Sequence, residues 1–265
     1  MKSTGNQKVA LVLSGGGARG IAHIGVIEEL EKRGYEITSI AGTSMGSLIG
    51  GVYAAGKMNQ LKEWIYTLDK GKVFRLVDFT LSKQGLFKGE RVLKKMKDYV
   101  PDILIEDLAI PTVLTPVKEE NRLLVDGGVL NNIPMAHVQR QEGDMMIAVN
   151  VNADIPLVKP EMTEEAVKKQ SLYHKKISEF YSHIRRSSSS AEENLGYFSL
   201  VTKTLDLMTM RMAEDKIEQF SPEVLISVSR ESCNVYDFYK AEEQVEAGRK
   251  AAIEVLETIQ NREVS

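Results

Sequence analysis

The chain has 265 residues, 43% of them hydrophobic, and a formal net charge of −3 at pH 7. This length is enough for one sizeable core, so we expect a single domain over residues 1–265. The nearly balanced charge lacks the basic footprint that nucleic-acid binding requires.

Cysteine usage and hydropathy bear on the compartment. Cys233 is the only cysteine, so an intrachain disulfide is excluded and a reducing compartment is favoured. Near the N-terminus only Val9–Leu13 are continuously apolar, which is too short for a signal peptide. No later run is long enough to span a membrane. We therefore expect a cytoplasmic protein.

The first motif is a glycine loop between a strand and a helix. Val9–Leu13 has the continuous apolar character of a buried parallel strand. Residues 14–20 then read S-G-G-G-A-R-G, and Ile21–Lys32 has helical spacing with Gly34 as its C-terminal cap. The sequence thus predicts a β-loop-α unit.

This loop has three interpretations. Gly15, Gly17 and Gly20 spell the G-x-G-x-x-G of a dinucleotide site, but the acidic residue that such a site needs at the far end of the next strand is absent. Glu36 stands at the near end of that strand instead. A P-loop is excluded because no Gly-Lys-Ser/Thr follows. The third interpretation is an oxyanion hole built from bare backbone N–H groups.

The second motif is G-T-S-M-G over residues 42–46, between a predicted strand at Ile37–Ala41 and a predicted helix at Ser47–Ala55. A serine in a tight strand-to-helix turn is typical of a nucleophile elbow. Its glycines avoid crowding Ser44, and the helix N-terminus favours developing negative charge there. The alternative is an ordinary Gly/Ser turn. Since both loops follow parallel strands, we expect them to face each other at one sheet edge.

The third motif, Asp126-Gly127-Gly128, follows the predicted strand Leu123–Val125. It is either a turn or a site where Asp126 acts as a general base. After it, Asn131–Pro134 predicts the start of a helical segment, and Met145–Val151 predicts another buried strand.

The remaining segments are predicted to be mainly helical cover. Asn59–Leu68 and Lys88–Tyr99 predict helices joined by an unusually apolar loop, which either belongs to the core or faces substrate. Residues 152–222 predict a helical cover region, followed by a last strand at Glu223–Val228 and a closing helix at Lys240–Gln260.

Two features of the cover region suggest lipids. Residues 166–190 have a local charge balance of +5, which fits peripheral contact with an anionic membrane surface. Leu195–Met212 is rich in methionine and other apolar residues. This stretch either packs on the sheet or provides an adaptable wall for acyl chains.

The three motifs, in this order, resemble those of the patatin-like phospholipase family, most closely its bacterial branch, from about Lys8 to about Ile259. The resemblance implies a three-layer α/β/α sandwich with a mainly parallel sheet. It implies hydrolysis of lipid acyl esters through an acyl-enzyme, with Ser44 as nucleophile, Asp126 as base, and no metal or other cofactor. The corresponding motif residues are Gly15, Gly16, Gly17, Ala18, Arg19 and Gly20 for the oxyanion hole, Gly42, Thr43, Met45 and Gly46 for the elbow, and Gly127 and Gly128 for the turn.

The resemblance has one interruption. Leu108–Val117 resembles the end of a longer family segment that contains a core strand, yet it follows Ile105–Asp107 directly. Either the sequence skips residues near 108–109, or the chain is a deletion variant. A true deletion would leave unpaired backbone groups and a hole in the core.

Two alternatives to a Ser–Asp hydrolase stay open. The first is a catalytically impaired lipid-binding module on the same fold, because of the missing segment. The second is a Ser-His-Asp esterase. His137 follows Asp126, and so satisfies the order serine, acid, histidine that α/β-hydrolases use.

Overall fold

The computed structural model of the chain describes residues 7–76, 78–82, 85–88, 112–113, 128, 130–157 and 191–264. The chain divides into two compact units, Met1–Ile155 with Thr209–Ser265, and Pro156–Met208. The first unit contains both glycine motifs. Of the second unit, the structure describes residues 156–157 and the beginning of one helix.

The strands and helices alternate along much of the chain. The strands are β1 (Lys8–Leu13), β2 (Glu36–Gly42), β3 (Asp78–Ser82), β4 (Gly85–Lys88), β5 (Thr112–Val113), β6 (Met145–Ala153) and β7 (Val224–Ser229). The helices are α1 (Ala22–Lys32), α2 (Met45–Ala54), α3 (Met58–Tyr66), α4 (Lys70–Leu76), α5 (Ala191–Phe220) and α6 (Ala241–Val264). Short 3-10 turns cover Gly17–Ile21, Met135–His137 and Phe238–Lys240.

The main sheet is parallel and has the order β5-β2-β1-β6-β7. β1 lies at its centre, and Val9 to Leu13 are all completely buried. Val9, Leu11 and Leu13 pack with the cluster that includes α1, α2, α3 and α6. Ala10 and Val12 belong to a second cluster with Met135 and with Ala213 of α5. A strand covered on both faces needs apolar residues throughout, which explains its unbroken apolar run.

Helical segments therefore cover both faces of a parallel sheet, and the predicted three-layer α/β/α sandwich is confirmed. The strands at Val9, Ile37, Met145 and Glu223 lie within two residues of their predicted bounds. Trp64 of α3 is buried in the core. Among the helices of the described ranges, none is long and apolar enough to cross a membrane.

One local prediction was wrong. The apolar stretch before Lys88 is not a loop: it forms α4 and the antiparallel hairpin β3–β4, in which Phe79 pairs with Phe87. The alternation of Phe79 and Leu81 with polar residues was the missed signal. The helical segment predicted to start at Asn131–Pro134 is the short 3-10 helix Met135–His137. The predicted elements over Gly89–Tyr99, Leu123–Val125 and residues 158–190 lie outside the described residues.

Helices α1 and α6 cross at two glycines. A Cβ on Gly25 would collide with the carbonyl oxygen of Val245, and a Cβ on Gly248 with that of Ala22. Both obstacles are backbone atoms, which cannot swing aside as a long side chain can. The crossing therefore depends on the absence of side chains at these two positions.

We expect Gly248→Ala to lower the free energy of unfolding by about 1–3 kcal/mol, the usual cost of overpacking. In an isolated helix the same change would be favourable by about 1 kcal/mol, so a loss would show that the helix contact dominates. Urea unfolding measures the difference. Glu254→Ala on the exposed face of α6 is the control and should change stability little. A more stable Gly248→Ala protein would contradict the tight crossing.

His23 is a buried histidine in the first turn of α1. It is completely buried, and its Nε2 lies 2.8 Å from the carbonyl oxygen of Ser14. Since a carbonyl can only accept, Nε2 carries the proton. Burial lowers the pKa of His23 from 6.5 to about 4, although the bond to Ser14 opposes the shift. The imidazole is therefore neutral at pH 7.

The lowered pKa of His23 makes stability depend on pH. In the unfolded chain His23 binds a proton below about pH 6.5, whereas in the folded protein it binds one only near its lowered pKa of about 4. The free energy of unfolding therefore falls as the pH falls through this window. Between pH 7 and pH 5 we expect His23 to account for a loss of about 2 kcal/mol.

His23→Gln tests this expectation because glutamine can donate to Ser14 without titrating. Its urea-unfolding free energy should depend less on pH between 7 and 5 than that of the wild type. His137→Gln, which changes an exposed histidine, is the control and should keep the wild-type profile. Equal slopes for all three proteins would show that His23 does not titrate as described.

Candidate active site

The two glycine motifs leave the sheet at a point where the chain connections diverge. β1 pairs with β2 on one side and with β6 on the other. The three strands are parallel, so the residues that follow them emerge at the same edge. Open α/β sheets form their binding crevices at such a switch point. This topology is the physical basis for the prediction that the glycine loop after β1 and the elbow after β2 face each other.

The elbow places Ser44 in a strained backbone conformation. Ser44 has φ of 51° and ψ of −119°, lies directly before α2, and has an exposed side chain. For a residue with a side chain, this region costs roughly 1–3 kcal/mol and persists only where the surroundings enforce it. The strain turns the serine outward at the beginning of a helix.

Backbone contacts enforce this turn. The N–H of Thr43 donates to the carbonyl of Leu13 at 3.1 Å, and the N–H of Gly46 donates to the carbonyl of Thr43 at 2.8 Å. A Cβ on Gly46 would collide with the carbonyl oxygen of Leu13 and lie 2.7 Å from that of Ser14. One on Gly42 would lie 2.5 Å from the backbone of Gly46. Both glycines of the motif are thus required by close packing.

The glycine loop runs beside the serine. A Cβ on Gly15 would lie 3.3 Å from the Cβ of Ser44, and one on Gly20 would lie 2.5 Å from the Cγ of Met45. Gly17 has φ of +56°, and a Cβ there would lie 2.5 Å from the carbonyl oxygen of Val235. The loop therefore passes close to the elbow on one side and to the residues after β7 on the other.

Several N–H groups of this loop are occupied by other backbone groups. Gly15 donates to the carbonyl of Asn132 at 2.9 Å, Ala18 to that of Val235 at 2.9 Å, and Arg19 to that of Gly16 at 3.2 Å. Arg19 also donates through Nη1 to the carbonyl of Arg230 at 3.1 Å. These three loop N–H groups hold the loop in place.

The N–H groups of Gly16, Gly17 and Met45 differ from them. Within the described part of the chain, none of the three donates to a backbone or side-chain acceptor. Gly17 and Met45 each begin a helical turn, where the first N–H groups have no partner inside the helix. Preorganised donors of this kind can stabilise an oxyanion.

The segment that follows the third motif closes the site from another direction. The hydroxyl of Thr43 donates to the carbonyl of Asn131 at 2.7 Å, and Asn132 accepts from Gly15. Gly128 is one of the described residues, whereas Asp126 and Gly127 lie outside them. The sequence reasoning did not identify Asn132, Asn152 or Val235 as partners of the glycine loop.

Neither described histidine is hydrogen-bonded to Ser44. His23 is bound to Ser14 and neutral. His137 is exposed and lies between Asn132, beside the glycine loop, and Gln139, whose carbonyl accepts from Ser39 in the middle of β2. Within the described ranges, no group of three or more His, Cys, Asp or Glu side chains could hold a metal ion.

Comparison with known proteins gives relatives in bacteria and fungi. An uncharacterized NTE family protein of Mycobacterium tuberculosis is 28% identical, over 98% of this chain and 94% of the relative. That alignment spans 340 positions, whereas this chain has 265 residues, so the mycobacterial protein carries insertions relative to it.

Two fungal relatives match a smaller part. Lysophospholipase nte1 of Emericella nidulans is 30% identical over 55% of this chain, which is 12% of the fungal protein. Lysophospholipase NTE1 of Mycosarcoma maydis is 29% identical over 55% of this chain and 10% of its own length. Residues 11–109 match the family model of the Patatin-like phospholipase. With the fold and both glycine motifs in agreement, residues 11–109 resemble a patatin-like phospholipase domain, the domain of a lipid acyl hydrolase.

Proposed function

We propose that this protein hydrolyses the acyl ester of a lysophospholipid through an acyl-enzyme on Ser44, with Asp126 as the general base. The observation that carries the proposal is the strained backbone of Ser44, at the start of α2 and beside the glycine loop. Strain at an exposed serine costs stability and needs a reason. Presentation of a nucleophile to a crevice supplies one.

The chemistry proceeds in two steps. The Asp126 carboxylate takes the hydroxyl proton of Ser44 while Oγ attacks the carbonyl carbon of the ester, and the carbonyl oxygen becomes an oxyanion. The bond to the lysophospholipid alcohol then breaks, and that oxygen receives the proton from Asp126. Water, deprotonated by Asp126, attacks the acyl-enzyme and releases the fatty acid, and the proton returns to Ser44.

The oxyanion would be stabilised by the N–H groups of Gly16, Gly17 and Met45. None of these three donors has an acceptor in the described part of the chain. A carboxylate is a weaker base than imidazole, so the reaction depends strongly on such donors. Loss of one oxyanion donor typically costs roughly 3–4 kcal/mol in the transition state.

Aspartate is favoured over histidine as the base by the positions of the two described histidines. The ring of His23 is buried and engaged with Ser14. His137 precedes Gln139, which is bonded to Ser39, five residues before Ser44 on the strand that leads to the elbow. The backbone of Asn131, five residues after Asp126, accepts the hydroxyl of Thr43 next to the nucleophile. This contact of a residue close after Asp126 in sequence supports aspartate as the base.

We propose a lysophospholipid as the substrate because the fungal relatives are named lysophospholipases. The alignment with them covers 55% of this chain. Such a lipid has one acyl chain, and after that chain is transferred to Ser44 the rest of the molecule leaves as a polar glycerophospho alcohol. The substrate class is independent of the Ser–Asp assignment, so the two are tested separately.

A second candidate function is lipid binding without turnover. The mycobacterial relative carries insertions relative to this chain. This difference favours the hypothesis that a segment near residues 108–109 is missing, which would disturb the core next to β5. Wild-type protein that binds lysophospholipid vesicles or micelles but releases no fatty acid would support this candidate.

For the dyad, we expect Ser44→Ala and Asp126→Asn each to lower ester turnover by at least about a thousandfold, because each removes one partner of the reacting pair. Hydrolysis of a short-chain chromogenic ester measures this. His137→Gln is the matched control and should retain most activity. A His137→Gln protein as inactive as Asp126→Asn, with both folded, would replace the dyad by a triad.

For the substrate, we expect fatty acid release from lysophosphatidylcholine to exceed release from the diacyl lipid at equal concentration. Mass spectrometry of the released fatty acid measures both rates, and Ser44→Ala gives the background. A preference for the diacyl lipid would leave the hydrolase proposal in place and overturn the lysophospholipid.

A further inference from the structure

We propose that Asn152 is a positioning residue that aims the N–H of Gly16 at the oxyanion. This inference rests on the proposed function. Asn152 belongs to β6 rather than to any of the three motifs. Its Nδ2 donates to the carbonyl oxygen of Gly15 at 2.6 Å.

The carbonyl of Gly15 and the N–H of Gly16 belong to one peptide group. That group is planar, and in the trans form its C=O and N–H point in opposite directions. A side chain that holds the carbonyl therefore also fixes the direction of the N–H. Asn152 can control Gly16 without touching substrate.

The sheet topology indicates which way that N–H points. β1 lies between β2 and β6. Asn152 in β6 draws the carbonyl of Gly15 towards its own side, so the N–H of Gly16 turns to the side of β2. Ser44 lies two residues after the end of β2. A Cβ built on Gly15 would lie 3.3 Å from the Cβ of Ser44 and 2.6 Å from Oδ1 of Asn132, so the loop passes close to the nucleophile.

Asn152 is itself held in place. Its backbone N–H donates to Oδ1 of Asn150 at 3.0 Å, and the preceding N–H, of Val151, donates to the hydroxyl of Ser14 at 3.0 Å. A Cβ on Gly16 would lie 2.5 Å from Cγ2 of Val151 and 3.3 Å from Oδ1 of Asn152. The end of β6 and the glycine loop thus form one tightly packed unit.

The preceding peptide is clamped in the same manner. His23 donates to the carbonyl of Ser14, and the N–H of Gly15 donates to Asn132. Two consecutive peptide groups are therefore fixed by three separate parts of the chain. Within this arrangement, Asn152 acts on the peptide that presents an N–H without an acceptor.

The variants Asn152→Ala and Asn152→Asp test the inference. The first removes the donor, and the second places a carboxylate oxygen against the carbonyl of Gly15 while keeping the shape of the side chain. We expect kcat to fall by about 10- to 100-fold with KM nearly unchanged, and more for Asn152→Asp, because a misdirected N–H affects mainly the transition state.

A trifluoromethyl ketone that carries an alkyl chain gives a readout that a merely structural role would not move. It forms a tetrahedral adduct with the serine, so its inhibition should weaken in parallel with kcat. Binding of an ether analogue of the lysophospholipid, which has no carbonyl, should stay unchanged. Asp154→Asn, an exposed change at the end of the same strand, is the control.

The outcomes separate this inference from the proposed function. If the wild type turns over substrate and both folded Asn152 variants have the same kcat as the wild type, the positioning role is overturned and the proposed function stands. The positioning role would also be overturned if the variants bound the inhibitor and the ether analogue with the same fold-loss of affinity and also had a lower melting temperature. That result would indicate that Asn152 serves general packing. A wild-type protein without turnover would overturn the proposed function, and the positioning role with it.

Discussion

The close approach of α2 to the end of β1 is the contact on which the rest of the site depends. The backbone of Gly46 lies against the carbonyl oxygens of Leu13 and Ser14, so close that no Cβ would fit. This contact sets the distance between the elbow and the glycine loop. Because the N–H of Thr43 also donates to Leu13, the turn before the serine is tied to the same strand end.

Burial of apolar side chains around β1 offsets the free-energy cost of the strained backbone at Ser44. A strained φ at one residue costs roughly 1–3 kcal/mol. Burial of a single leucine or isoleucine side chain contributes about 1.5–3 kcal/mol. Leu11 and Leu13 of β1 are completely buried, as are Ile24 and Ile27 of α1. The core near the elbow therefore outweighs the strain several times over.

The sequence predicts the frame of the protein better than the details of its site. Local patterns predicted β1, β2, β6, β7 and the turn at Ser44, because the apolar runs and glycine spacing are contiguous, but they did not predict the two-residue strand β5. The partners of the glycine loop come from elsewhere in the chain: Asn132, Asn152 and Val235 lie more than a hundred residues from Gly15. No local pattern indicates that such residues meet. Asp126 and Gly127 lie outside the described residues, so their part in the site stays a prediction.

The Met-rich stretch Leu195–Met212 was ambiguous for a physical reason. Both interpretations, packing and an acyl-facing wall, need apolar residues, and only exposure separates them. In α5, Leu207 and Met208 are 54% and 56% exposed, whereas Ala213 is buried in the core. The exposure of the side chains therefore changes along the helix. Side-chain burial, which depends on neighbouring elements, is not encoded in helical spacing alone.

The most direct test of the central claim is the position of a covalent adduct. The protein is treated with a fluorophosphonate that carries an alkyl chain, digested, and analysed by mass spectrometry of its peptides. We expect one stoichiometric adduct on Ser44, and we expect prior incubation with lysophospholipid to prevent it. An adduct on another serine would contradict the assignment of Ser44 as the nucleophile. So would loss of turnover on treatment of active protein while Ser44 stays unmodified.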